Sequence, residues 1–163
     1  MGDKRTRTTL RIRLSGERAL SNSEELILAS KIFSSDDSVA LVVFKNKEEI
    51  LRKQGKGVRP LFEAVDSSLD DLLNSTVGDR MVGRASALLC LYAHVTCVYA
   101  YRATQEAIQL LQNHDVEVLV GETIERISGR DGTGCIFEKM LADINDPEIA
   151  FQRIRRFFIG KQG

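Results

Sequence analysis

Tryptophan is absent from these 163 residues, histidine and proline occur twice each, and the formal net charge is zero. Each shortage excludes something. A catalytic zinc site takes three protein ligands from Cys, His or carboxylates. The two histidines, His94 and His114, both fall at the expected C-terminal ends of helices, far from any helix start. Zero net charge gives the whole molecule no bias toward nucleic acid or acidic membranes. Three cysteines, Cys90, Cys97 and Cys135, form no C-x-x-C pair, which predicts neither a disulfide framework nor a zinc ribbon. No apolar run approaches the roughly 20 residues of a membrane span. Met1 leads into charges instead of an apolar core, so the expectation is no secretory signal and a cytoplasmic protein with free thiols.

What remains is ordinary globular material, 43% apolar and 28% charged, enough for one domain with a proper core. The charge is unevenly spread. Lys4, Arg5, Arg7, Arg11, Arg13 and Arg18 face only Asp3 and Glu17 before Asn22. Residues 1–20 are read as a basic N-terminal extension and residues 21–163 as a single domain. Within the extension Leu10, Ile12 and Leu14 alternate with Arg11 and Arg13, a period-2 pattern that fits a short edge strand or a tail ordered by a partner. Arg153, Arg155, Arg156 and Lys161 close the chain. Both basic ends also read simply as solvated charge.

Ser21, Asn22 and Ser23 before Glu24 and Glu25 mark a helix start. The unbroken apolar run Val39–Phe44 predicts a strand covered on both faces, and Glu49–Lys53 predicts a second, polar strand closing a hairpin. Pro60 suits the first turn of a short helix. Residues 76–93 read as one central helix, apolar over its last three turns, with Thr76 or Asp79 at its cap. Val95–Tyr101 and Val116–Val120 predict strands, with a Thr104-capped helix between them. Cys135–Asp143 and the stretch after Asp146-Pro147-Glu148 predict the last two helices. The alternation predicts an α/β fold with parallel strands after the opening hairpin.

In such a sheet, ligands bind beyond the carboxyl ends of the parallel strands, where helices begin. The expected site therefore joins Asp79 and Arg80 at the central helix start, Thr104 at the next, and Arg130, Asp131, Thr133 and Cys135 from the glycine loop, with Gly57 and Arg59 nearby. Glycines, arginines and helix N-termini together form a cradle for an anion or phosphate. Turn geometry alone also accounts for these glycines. Asp79 is equally a plain helix cap, and Arg84 reads as a solvated charge. Cys90 and Cys97 read as small buried hydrophobes. Cys135, at a helix start after a glycine loop, is the candidate catalytic thiol.

The segments Leu41–Asn46, Gly55–Leu61, Asp79–Leu89, Arg130–Cys135 with Glu138, and Asp143–Glu148 resemble a prokaryotic family of unknown function, the domain of unknown function numbered eighteen ninety-three. That family belongs to the cytidine deaminase-like fold, and the resemblance covers about residues 23–158. It implies a three-layer α/β/α domain with a mixed sheet, opened by an antiparallel hairpin and followed by parallel strands. Working deaminases carry H-x-E or C-x-E at the second core helix and P-C-x-x-C at the third. Here those places hold Gly78-Asp79-Arg80 and Ala103–Ala107. The resemblance thus implies the fold and the pocket while arguing against zinc-dependent deamination, and no metal or cofactor is expected. Relatives follow the last-motif cysteine with proline; here Ile136 follows Cys135.

The leading functional expectation is a metal-free pocket for a small anionic or nucleotide-like ligand. Asp79 would accept a hydrogen bond from it, Arg80 and Arg130 would hold its anionic group, and Thr133 would orient it. One alternative is thiol chemistry at Cys135, with Arg130 favouring the thiolate and Asp131 or Glu138 handling protons. Another is a scaffold whose basic arm binds nucleic acid or protein. Nothing in the sequence fixes the oligomeric state.

Overall fold

In a computed structural model of the chain, residues 16–128 and 134–160 are described. The run Val39–Phe44 becomes β1 (Val39–Lys45), buried along its whole apolar length. Asn46 and Lys47 follow with φ of 54° and 68°, the left-handed pair of a two-residue hairpin turn. The polar β2 (Glu48–Gln54) returns beside β1. Before the hairpin lies helix α1 (Gly16–Ser35), so the Ser21–Ser23 start signal falls inside it. Helix α2 (Arg59–Ser67) has Pro60 in its first turn, as expected, and the short α3 (Leu69–Leu72) follows.

The largest departure from expectation lies in residues 76–82. They form a strand, β3 (Thr76–Val82), and the helix α4 (Arg84–Tyr92) begins only after Gly83. The reason is a period of two written in polar residues. The Thr76 hydroxyl donates to Glu25 Oε1 at 2.6 Å on the α1 side of the sheet. Gly78 faces the same side, where a β-carbon would stand 2.8 Å from both Phe33 and Val42. Arg80 faces it too, its guanidinium over the rings of Phe33 and Tyr101, 4.8 and 4.7 Å from their centroids. Val77 and Asp79 point the other way, toward α4. A helix would have spread these residues around an axis; the strand sorts them onto two faces.

After α4 come β4 (Cys97–Thr104), α5 (Gln105–Asn113), β5 (Glu117–Ile124), α6 (Ile136–Met140) and α7 (Pro147–Ile159). The sheet runs in the order β2-β1-β3-β4-β5. β1 is antiparallel to both its neighbours, while β3, β4 and β5 are mutually parallel. The molecule is therefore α/β, with a mixed sheet of five strands among the described residues.

Buried side chains gather into two clusters separated by the sheet. The smaller one contains Leu26, Ala29 and Phe33 of α1 against Val42, Phe44 and Tyr99. The larger one contains Leu61, Phe62, Leu88, Leu89, Leu111, Ile154 and Phe158 with Leu41, Val43 and Val98. Each fully buried side chain of this size contributes about 1.5–3 kcal/mol. The helices that begin at the carboxyl ends of β3 and β4 both belong to the larger cluster, so the site forms on that side.

Candidate functional site

β3 ends at Val82, and the chain turns at Gly83, which caps α4 without a side chain. The first N–H groups of a helix need acceptors. Glu138 of α6 supplies them: its Oε1 accepts from Arg84 N at 3.1 Å and its Oε2 from Ala85 N at 3.3 Å. Glycine is required at position 83 by space. A β-carbon there would stand 2.7 Å from Glu138 Oε2 and closer still to Ile127 Cδ1. The anion cradle expected at this helix start is thus occupied by the protein's own carboxylate.

Arg84 also reverses its expectation. It is not a solvated charge; its side chain is 8% exposed. Nε donates to Leu141 O at 2.7 Å, Nη1 to Glu106 Oε2 at 3.1 Å, and Nη2 to Ile144 O at 2.6 Å and to Asn145 Oδ1. The planar guanidinium fork suits this spread of acceptors. One side chain ties α4 to the start of α5, the end of α6 and the loop before α7. A sequence signal existed: a lone arginine opening an otherwise small and apolar helix is a buried cation in search of acceptors.

Thr104 caps α5, its Oγ1 accepting from Ala107 N at 3.2 Å, as the sequence predicts. Beside it opens a cavity of about 410 Å³ at the carboxyl ends of β4 and β5. Thr104 and Glu106 form one wall, Glu125, Arg126, Ile127 and Ser128 a second, and Gly134, Cys135, Glu138, Lys139 and Ala142 the third. Glu106 is engaged by Arg84 and Glu138 by the α4 backbone. Arg126 and Lys139 pair with no carboxylate among the described residues.

A family model described as "Domain of unknown function (DUF1893)" matches residues 28–158. The chain belongs to the DUF1893 family. Its fold is similar to the crystal structure of a DUF1893 family protein (TM1506) from Thermotoga maritima, with a TM-score of 0.70 and 28% identity over 79% of this chain and 86% of that one. No functionally curated protein matches it.

In this DUF1893 protein the expected site residues divide. Thr104 and Cys135 meet at the cavity. Asp79 and Arg80 do not join them or each other, because adjacent strand residues face opposite sides. Arg80 is spent on the α1 side, donating to Val39 O at 2.8 Å and Asp36 O at 2.9 Å. Gly57 and Arg59 stand at the start of α2, away from the cavity lining; Arg59 lies 4.4 Å over the Phe158 ring and pairs loosely with Glu63. Arg130, Asp131 and Thr133 lie outside the described residues.

Asp79 is buried under α4, and its Oδ2 has no hydrogen-bond partner among the described residues. Burial pushes its pKa up to about 7, against the opposing pull of the Ser86 hydroxyl, the backbone N–H groups of Met81 and Arg80, and the Arg80 charge. The Cys90 thiol is driven upward, first by burial and then by Asp79. Cys97 is buried as well, and of the three cysteines Cys135 alone is partly exposed. Among the described residues no group of three or more His, Cys, Asp or Glu converges to hold a metal ion, and no helix is long and apolar enough to cross a membrane.

Proposed function

We propose that this DUF1893 protein has a three-layer, cytidine deaminase-like fold without zinc, and that its cavity binds a small anionic, nucleotide-like ligand. The observation that carries the ligand reading is the cavity at the carboxyl ends of β4 and β5 with Arg126 and Lys139 on its walls. Parallel α/β sheets place ligands at that edge. Two of the three lining glutamates are already engaged within the protein, which leaves the cations to set the preference. Ser128 adds a hydroxyl donor to the walls. The start of α4, Gly83-Arg84-Ala85, holds no His or Cys, which supports a reading without zinc. Partly exposed and buried thiols without disulfides fit a reducing cytoplasm.

Isothermal titration with nucleotides, sugar phosphates and inorganic phosphate tests this. Binding that disappears in Lys139→Ala and Arg126→Ala supports the reading. Binding unaffected by both substitutions, or no heat with any anion, overturns it.

One observation favours a second reading, thiol chemistry. Cys135 lies on the cavity wall three residues before Glu138, with Lys139 beside it. In that reading the ligand is an electrophile, and mass spectrometry after incubation would show an adduct at Cys135 alone. The scaffold reading rests on the basic arm, residues 1–20, of which 1–15 lie outside the described residues, and is separated by the steep salt dependence it requires.

A further inference from the structure

Helix α1 is apolar on two faces. Leu26, Ala29 and Phe33 point into the smaller cluster. The helix is held from that side by the buried Glu25, which accepts from Thr76 Oγ1 at 2.6 Å and from Lys47 N at 2.7 Å. On the side turned away from the sheet stand Ile27, 49% exposed, and Leu28, 39% exposed. A surface helix ordinarily turns charged and polar residues outward. Of the described helices α1 alone contributes to the smaller cluster, and none of the others covers Ile27 or Leu28. The two lie in a groove of about 370 Å³ bounded by Glu24, Lys31 and Lys47. Glu24 pairs with Lys47 through Oε1 at 2.9 Å and stays 57% exposed. Lys31 pairs with no carboxylate among the described residues.

We propose that this outer face of α1 is a self-association surface, on which α1 of a second copy packs antiparallel about a two-fold axis between Ile27 and Leu28. Residues three, four and seven apart on a helix share one face, and Glu24, Ile27, Leu28 and Lys31 have that spacing. A two-fold interface uses one patch twice, so the patch must complement itself. About this axis Ile27 of each copy meets Leu28 of the other, and Glu24 of each meets Lys31 of the other. Glu24 Oε2, the oxygen its Lys47 pair leaves unused, receives the incoming ammonium. The apolar pair lies at the centre and the charges outside it, the order in which specific interfaces are built. A parallel arrangement would instead set Glu24 against Glu24 and Lys31 against Lys31. The charge order along the stripe thus selects a second copy of this chain, in one orientation and one register.

Sedimentation velocity on the full chain reads the association, and the expected result is a reversible wild-type dimer. Lys31→Glu sets carboxylates against each other across the axis, and Glu24→Lys sets ammonium groups against each other. Each variant alone should associate at least about tenfold more weakly than the wild type. An equimolar mixture of the two should recover the association, because the mixed pair opposes a carboxylate to an ammonium at both ends. Ile27→Ser, at an exposed position, should also weaken the dimer while the thermal midpoint of the monomer is retained. A monomeric wild-type chain, a dimer indifferent to Lys31→Glu, or a mixture that associates no more tightly than its components would each overturn the proposal.

Discussion

The Glu138 carboxylate sits against Gly83 so closely that a β-carbon on the glycine would stand 2.7 Å from Oε2. Gly83→Ala must therefore displace Glu138, Ile127 or the α4 start, at a cost of about 1–3 kcal/mol. Glu138→Gln keeps an acceptor but removes the charge from the helix N-terminus and should cost about 0.5–1 kcal/mol. Because both changes break one contact, Gly83→Ala with Glu138→Ala should cost less than the sum of the two alone. Urea denaturation of the four proteins measures this, and strict additivity would show that the contact contributes nothing.

Arg84→Ala takes the arginine donor from the Ile144 carbonyl and one of two donors from the Leu141 carbonyl, which keeps Ile144 N–H, and should destabilise by about 1–3 kcal/mol. Arg84→Lys keeps the charge but not the fork, so it should recover less than half of that. Glu106, the exposed partner, should tolerate Gln at a cost of about 0–1 kcal/mol. Thermal unfolding followed by circular dichroism ranks the three; equal tolerance at 84 and 106 would contradict the buried network.

Stability should fall as pH rises toward neutrality. The Asp79 pKa rises from an ordinary 3.8 to about 7 in the folded protein, so the folded state holds a proton that the unfolded chain has released between those values. The stability conferred by the neutral acid is complete below about pH 4, lost progressively from there to about pH 7, and absent above. The loss is on the order of several kcal/mol at one pKa unit per roughly 1.4 kcal/mol. Asp79→Asn, neutral at every pH, should flatten that slope and be relatively more stable above pH 7. Urea midpoints between pH 4 and 8 decide it, and parallel slopes in both proteins would rule it out.

Iodoacetamide should label Cys135 in the folded protein while Cys90 and Cys97 stay protected until unfolding. Burial both blocks access to Cys90 and raises its pKa. Per-residue mass spectrometry gives the three rates. A ligand in the cavity should slow the Cys135 rate alone, and slowing at all three sites would indicate global stabilisation instead.

Local chemistry was legible in the sequence. The β1–β2 hairpin follows from an apolar run, a turn and a polar run. The caps at Thr104 and Asp146 follow from short side chains ahead of helical stripes. β3 was hidden because its polar residues mimic a helix start and find their partners far along the chain. Thr76 meets Glu25 across 51 residues, and Arg80 meets Asp36 across 44. No local window contains both ends of such a bond. Misplacing the helix start by one strand then put Asp79 and Arg80 into the pocket and left Arg84 and Glu138 unread as its framework. The place of Cys135 at the start of α6 was legible because it depends only on its immediate neighbours.

Of the four side-chain acceptors of Arg84, Glu106 lies 22 residues downstream and the other three lie 57, 60 and 61 residues downstream. A chain emerging from the ribosome lengthens by about 5–20 residues each second, so for several seconds the guanidinium exists without them. The described sheet strands, all complete by Ile124, can pair during that interval, while the cation at the base of α4 has only the exposed Glu106 carboxylate. Docking of the segment from Leu141 to Asn145, followed by α7 against α4, therefore completes the Arg84 network late in synthesis.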